Sequence, residues 1–245
     1  MTLHLAAISV GSGDPNHITL QAHKRLQAAQ LIFALRTEQT GATIALDIAR
    51  PHLDTSKQVI VPIDVQRGRR AGERDALWQF VAETIVERMS AYASEHSEND
   101  HVIGAFLQLG DATLYGTFDY LRAKLPDEVI FDVLPGVTSF AATAARLGVS
   151  LAGIDERVCI LPATYEDDAT IRQAITDYDT VILLKTGFVR GRILALLQEM
   201  NVLANTIYAE NIGLPDERIV RDATTLLAED TDERAPYLTM MIVRS

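Results

Sequence analysis

The chain has 245 residues, 48% of them hydrophobic, which suits one large domain or two domains of roughly 100 to 130 residues each. With 33 acidic against 22 basic side chains, its formal net charge of -11 argues against general affinity for nucleic acid or anionic membranes and leaves a polyanion only a local basic patch. A single cysteine, Cys159, excludes an intrachain disulfide, a multi-cysteine zinc site and a three-cysteine radical cluster. In the apolar run 158–161 it reads as a buried core residue. The opening MTLHLAAISV is uncharged and too short for a signal peptide, and no apolar run approaches the roughly 18 residues of a membrane span. The expectation is a soluble cytoplasmic protein without a membrane partner.

In chain order, apolar β-branched segments alternate with helical ones. Strands are expected over 3–10, 31–34, 59–62, 101–109, 129–134, 157–161, 180–185, 206–210 and 237–243. Helices are expected over 19–30, 43–50, 74–93, 115–124, 139–147, 169–178, 190–200 and 223–228. This alternation predicts an α/β protein of two small α/β domains with mostly parallel sheets and a cleft between them. The boundary falls in the glycine-bearing loop after the fourth strand, giving domains 1–112 and 113–245.

The first strand runs into VGSGDPN, 10–16. Two glycines after a strand suggest a dinucleotide fingerprint, but the third glycine of G-x-G-x-x-G is replaced by Asn16, and no P-loop occurs. Three further glycine-bearing turns follow apolar strands: LGDATLYGT (109–117), PGVTSF (135–140) and AENIG (209–213). Each by itself reads first as an ordinary turn, since Gly, Asp and Pro are the commonest turn residues. Together they present bare backbone N–H and C=O groups, which suit a ligand with amino-acid, ribose and adenine parts. The one basic stretch, QRGRRAGER (66–74), is either a solvated loop or a clamp on an anionic ligand. The histidines form no ligand constellation, with His17 and His23 six apart on one helix, so no metal site is expected.

The ordered series GSGDP, LGDATLYGT, PGVTSF and AENIG-LPDERI resembles the tetrapyrrole methylases over nearly the whole chain. The family patterns are GPGDP, GDP-x-x-YG, PG-[IV]-[TS]-S and [VA]-E-x-x-x-x-x-[DE]-E-x-[IV]. Within the family, ILPAT (160–164), LKTG (184–187) and the region 40–63 are most similar to the branch that methylates precorrin-2 at C20. Two prolines of the pattern are replaced, by Ser12 and Ala112.

The resemblance implies a class III methyltransferase-like fold, S-adenosylmethionine as methyl donor with S-adenosylhomocysteine as product, a tetrapyrrole substrate and a homodimer. It places donor contacts at Leu109, Gly110, Asp111, Leu114, Thr138, Ser139, Lys185 and Ile212. Substrate contacts fall at Gly11, Ser12, Gly13, Asp14 and Arg36, with Arg67, Arg69, Arg70 and Lys185 as further cations for substrate carboxylates. Asp14 and Asp111 are the candidate general bases, with turn capping as the alternative for each. Other readings are methylation at another position of a precorrin or of uroporphyrinogen, methylation of ribosomal RNA or of a diphthamide precursor, or a non-catalytic nucleotide-binding module.

Overall fold

The computed structural model describes residues 2–37, 43–65, 71–96, 101–229 and 235–244. The chain divides into two compact units, Met1–Thr138 and Ser139–Ser245. The division falls later than the expected 112/113 boundary because the strand after that loop belongs to the first sheet.

The first unit contains β1 (Thr2–Ser9), α1 (Leu20–Ala28), β2 (Leu31–Thr37), α2 (Ile44–Ala49), β3 (Val59–Val65), α3 (Ala71–Glu95), β4 (His101–Gln108), α4 (Phe118–Arg122) and β5 (Ile130–Leu134). Its sheet has the order β3-β2-β4-β1-β5, and every pair is parallel. The inner strand β1 is buried from Leu5 onward, as a parallel strand covered on both faces must be. Helix α3 places Trp78, Val81, Ala82, Ile85, Met89 and Ala93 on one stripe, packed against Leu5, Phe33 and Phe106 of the sheet. Pro62 is tolerated because β3 is an edge strand.

The second unit contains α5 (Ser139–Leu147), β6 (Val158–Pro162), α6 (Asp168–Asp177), β7 (Thr180–Leu184), α7 (Arg190–Glu199), β8 (Thr206–Glu210), β9 (Arg218–Val220) and β10 (Thr239–Arg244). The sheet order is β6-β7-β10-β8-β9. Here only β6 and β7 are parallel, and the other three pairs are antiparallel. Ile171, Ile193, Leu197, Tyr208 and Met241 centre its core.

Several elements differ from expectation. The segment Ala223–Ala228 is a 3-10 helix capped by Asp222, and the three-residue β9 was not anticipated. The helix expected over 115–124 starts only at Phe118, because Tyr115 takes the left-handed conformation at φ 50°. Cys159 is half-buried rather than enclosed, since β6 is an edge strand, and burial pushes its thiol pKa up.

Candidate functional site

In the first unit β4, β1 and β5 are neighbours running in one direction, so their C-terminal ends bring LGDATLYGT, GSGDP and PGVTS together. Gly11 donates its N–H to the Gly110 carbonyl at 3.2 Å, and Gly110 returns the bond to Gly11 at 2.8 Å. Both glycines are left-handed, at φ 78° and 72°. A side chain on Gly136 would put its Cβ 2.3 Å from the Gly110 carbonyl oxygen and 2.6 Å from the Cβ of Ser9. Only glycine fits there. At Gly110 itself the Cβ direction is open, with nothing within 4 Å.

Side chains lock these loops. Asp111 Oδ1 accepts from the Thr113 N–H at 2.7 Å and hydroxyl at 2.6 Å, and Oδ2 accepts from the Gly136 N–H at 3.1 Å. Burial pushes this carboxyl up, but the bonds from Thr113 and Gly136 outweigh it and hold the pKa below the ordinary value. Leu109 and Leu114 flank this turn half-buried, and the Leu114 N–H donates to the Asp111 carbonyl. Ser9 Oγ accepts from the Ala112 N–H at 2.9 Å, and Gln108 Oε1 accepts from the Thr117 hydroxyl at 3.0 Å. These two strand residues are loop-holders that sequence reasoning missed. A polar side chain at the last position of a buried strand was the available signal.

In GSGDP, Ser12 and Gly13 are buried, and Ser12 Oγ lies 3.5 Å from His17 Nδ1. Asp14 caps the 3-10 turn Pro15–His17, its Oδ1 accepting from the Asn16 N–H and amide at 2.8 Å each. His52 Nε2 lies 2.9 Å from the Pro15 carbonyl oxygen, and the His52 and His23 rings meet edge-on at 5.2 Å. His17 therefore sits in the turn and not on the helix of His23, while folding joins His23 to His52, distant in sequence. Among the described residues, no group of three or more His, Cys, Asp and Glu is placed to hold a metal ion.

Arg36 lies near the C-terminal end of β2, opposite Asp64 of β3, with Nε to Oδ1 at 2.5 Å and Nη2 to Oδ2 at 2.7 Å. The hydrogen bond to Asp64 raises the arginine pKa, and the same contact lowers that of Asp64. Its guanidinium fork is thus already occupied. Arg67, Arg69 and Arg70 lie outside the described residues.

In the second unit β6, β7 and β8 all run antiparallel or equivalent to β10 in a way that sends their C-terminal ends to one edge of the sheet. There ILPAT and LKTG lie side by side, and AENIG ends at the same edge beyond the intervening β10. Lys185 is left-handed at φ 60°, its carbonyl accepts from the Thr164 hydroxyl at 2.5 Å, and its Nζ lies 5.7 Å from the Tyr165 ring centre. Burial lowers the Lys185 pKa. Arg192 holds the ILPAT turn by donating to the Ala163 and Glu166 carbonyls and to Asp168.

Ile212 is buried in a tight turn in which Asn211 and Gly213 are left-handed, at φ 49° and 84°. The acidic residues of AENIG-LPDERI close this turn: Asp216 accepts from the Asn211 amide at 2.6 Å, and Glu217 from the Gly213 N–H at 2.7 Å. Glu210 accepts from the Tyr208 hydroxyl, and burial together with that bond pushes the Tyr208 pKa up. Arg218 bridges Glu210 and Glu229, and Arg190 reaches Glu229 at 3.4 Å. The Arg190–Glu229 part of this network went unread in the sequence because its members are far apart along the chain. Thr138 closes the first unit half-buried, and Ser139 opens α5 with its Oγ 3.5 Å from the Met240 sulfur.

Among the described residues, six of the eight left-handed backbone positions are Gly11, Gly110, Tyr115, Lys185, Asn211 and Gly213, all in these strand-end loops. The other two, Gly148 and Asn201, follow the C-termini of α5 and α7, where left-handed residues are ordinary caps. Strained and glycine-only backbone is therefore concentrated where peptide groups can meet a ligand.

The sequence model of the family described as Tetrapyrrole (Corrin/Porphyrin) Methylases matches residues 4–227. A protein of Salmonella typhimurium (strain LT2) named Cobalt-precorrin-2 C(20)-methyltransferase is 30% identical over 240 residues, spanning 98% of this chain and 95% of its own. A Sinorhizobium protein named Precorrin-2 C(20)-methyltransferase is 24% identical over 245 residues, covering 98% of this chain and 94% of that one. The crystal structure of a cobalt precorrin-4 methyltransferase superposes with a TM-score of 0.69 at 18% identity, covering 98% of this chain and 94% of that one. Uroporphyrin-III C-methyltransferase from Thermus thermophilus, complexed with S-adenosylhomocysteine, gives 0.60 at 20% identity, covering 100% of this chain and 98% of that one. At such identities the superpositions speak for the fold, and the family follows from the sequence match: the chain belongs to the tetrapyrrole (corrin/porphyrin) methylases.

Proposed function

We propose that this methylase transfers a methyl group from S-adenosylmethionine to C20 of precorrin-2 in cobalamin biosynthesis. The observation that carries the reading is the near full-length 30% identity to a protein named for that reaction on the cobalt-loaded substrate. The cobalt-loaded form is accordingly the first acceptor to test, with the metal-free form second.

The strand-end loops fit such a donor. Gly110 offers backbone toward open space, and a Cβ there would fill it. Bound there, S-adenosylmethionine supplies an electrophilic sulfonium methyl. The chain's own part is alignment: backbone at Leu109, Gly110, Asp111 and Leu114 holds the methionine portion, Thr138 and Ser139 contact its carboxylate region, and peptide groups at Lys185 and Ile212 meet ribose and adenine. Holding donor and acceptor carbon in line is worth several kcal/mol, of order 7 or more in favourable cases.

Gly11, Ser12, Gly13 and Asp14 form the surface under the tetrapyrrole. Asp111 acts through the loops it ties, since both its oxygens accept hydrogen bonds and its lowered pKa makes it a weak base. Asp14, whose Oδ1 accepts from Asn16, is the other candidate to take the proton displaced from C20. Arg36 meets a substrate carboxylate only by sharing its fork with Asp64. The protein works as a homodimer in the cytoplasm. Among the described residues no helix is long and apolar enough to cross a membrane.

The test is anaerobic incubation with S-adenosylmethionine and cobalt-precorrin-2 or precorrin-2. A product heavier by one methyl group supports the reading. An unchanged tetrapyrrole with S-adenosylhomocysteine still bound would leave the donor site and remove precorrin-2 as acceptor.

A further inference from the structure

ILPAT and LKTG lie side by side at the ends of the paired strands β6 and β7, and a side chain adds one more tie between them. Thr164 Oγ1 donates to the carbonyl oxygen of Lys185 at 2.5 Å. That lysine holds φ 60°, a backbone conformation that L side chains rarely adopt.

Its neighbours are pinned independently. The Leu184 carbonyl accepts from the Ala163 N–H at 2.8 Å. The Thr186 N–H donates to the Thr239 carbonyl at 3.4 Å, and the Thr186 and Thr239 hydroxyls meet at 3.1 Å. Gly187 lies so close to the Pro236 carbonyl that a Cβ would come within 2.3 Å. The peptide between Lys185 and Thr186 is therefore tied at both ends, its N–H by β10 and its oxygen by Thr164. Removing the hydroxyl releases that oxygen tie, and the Lys185–Thr186 peptide can then turn, which changes ψ of Lys185 and takes the residue out of the left-handed well.

We propose that Thr164 is a positioning residue for the methyl donor: its hydroxyl keeps the backbone at Lys185 in the left-handed geometry that the ribose and adenine contacts need. The inference rests on the donor reading given above. Arg192 reinforces the same arrangement, since it fixes the Ala163 carbonyl at 2.7 Å and so the turn that carries Thr164.

The experiment is calorimetric titration of S-adenosylhomocysteine into the full chain as wild type, Thr164→Val, Thr164→Ser and Thr164→Val/Lys185→Gly, with thermal melts of each. Thr164→Val keeps the shape and loses the donor, and is expected to bind about ten-fold more weakly, the equivalent of one left-handed residue released. Its melting temperature should stay within about 4 °C of wild type. Thr164→Ser restores the hydroxyl and binds like wild type. In the double variant, glycine adopts positive φ without support, and affinity returns.

Wild-type affinity in Thr164→Val would overturn the proposal and leave the donor reading intact. Equal weakening in Val and Ser would overturn it as well, by assigning the effect to packing. Failure of the wild type to bind S-adenosylhomocysteine would sink the donor reading, and this inference with it.

Discussion

Gly110 and Gly136 lie 26 positions apart and touch, yet they are glycines for different reasons. Gly136 has no room for a side chain, so Gly136→Ala should cost about 1 to 3 kcal/mol by forcing the Gly110 peptide aside, read as a shift in the denaturation midpoint. Gly110 has room but positive φ, and Gly110→Ala should cost stability by about 1 to 2 kcal/mol while also weakening S-adenosylhomocysteine binding, because the new methyl enters the space proposed for the donor. Gly136→Ala with unchanged stability would contradict the packing described here.

Asp111 makes a prediction in pH. Its folded pKa is lowered, so its contribution is present above the unfolded carboxyl pKa and is lost as pH falls through the folded value. Wild type should exceed Asp111→Asn in stability at neutral pH, with the gap narrowing below about pH 4. A gap independent of pH would show that the ionised carboxylate is not what ties the loops. Glycines and aspartates of this kind are legible in a sequence, because turn chemistry admits few residue types. The partner of Arg36 is not, since it depends on the register that sets Arg36 against Asp64.

Elements with a strong pattern were legible in proportion to their burial. The stripe of α3 stands out at helical spacing, and it carries a large share of the first core. Ile85→Ala, at a fully buried position, should destabilise the protein by about 2 to 5 kcal/mol, measured by denaturant unfolding. The three-residue β9 had no such signal, because three residues are too few for a period. Nor could alternation of strand and helix reveal that β10 enters between β7 and β8 and makes that sheet mostly antiparallel.

The second unit depends on its charge network as well as its apolar core. Glu229 faces Arg190, of which only 7% is exposed, and Arg218. Glu229→Gln should cost about 1 to 3 kcal/mol by leaving the arginines short of a carboxylate. A neutral effect would mean that the arginines find water instead.

At the scale of the whole molecule, the proposed carboxylate-bearing tetrapyrrole would meet a chain of net charge -11. Long-range attraction then contributes little, and recognition falls to local contacts and to loop shape. The series of four loop motifs was legible as a family pattern because each lies at a strand end whose backbone geometry admits few alternatives. The proposed position of methylation, C20, rests on ILPAT, LKTG and the near full-length 30% identity to a protein named for that reaction.

The most direct measurement is therefore positional. The purified protein is incubated anaerobically with carbon-13 methyl-labelled S-adenosylmethionine and cobalt-precorrin-2, and the labelled carbon is located by nuclear magnetic resonance of the product. The account predicts a single labelled methyl on C20. Label at any other carbon would contradict it while leaving the family and the fold in place.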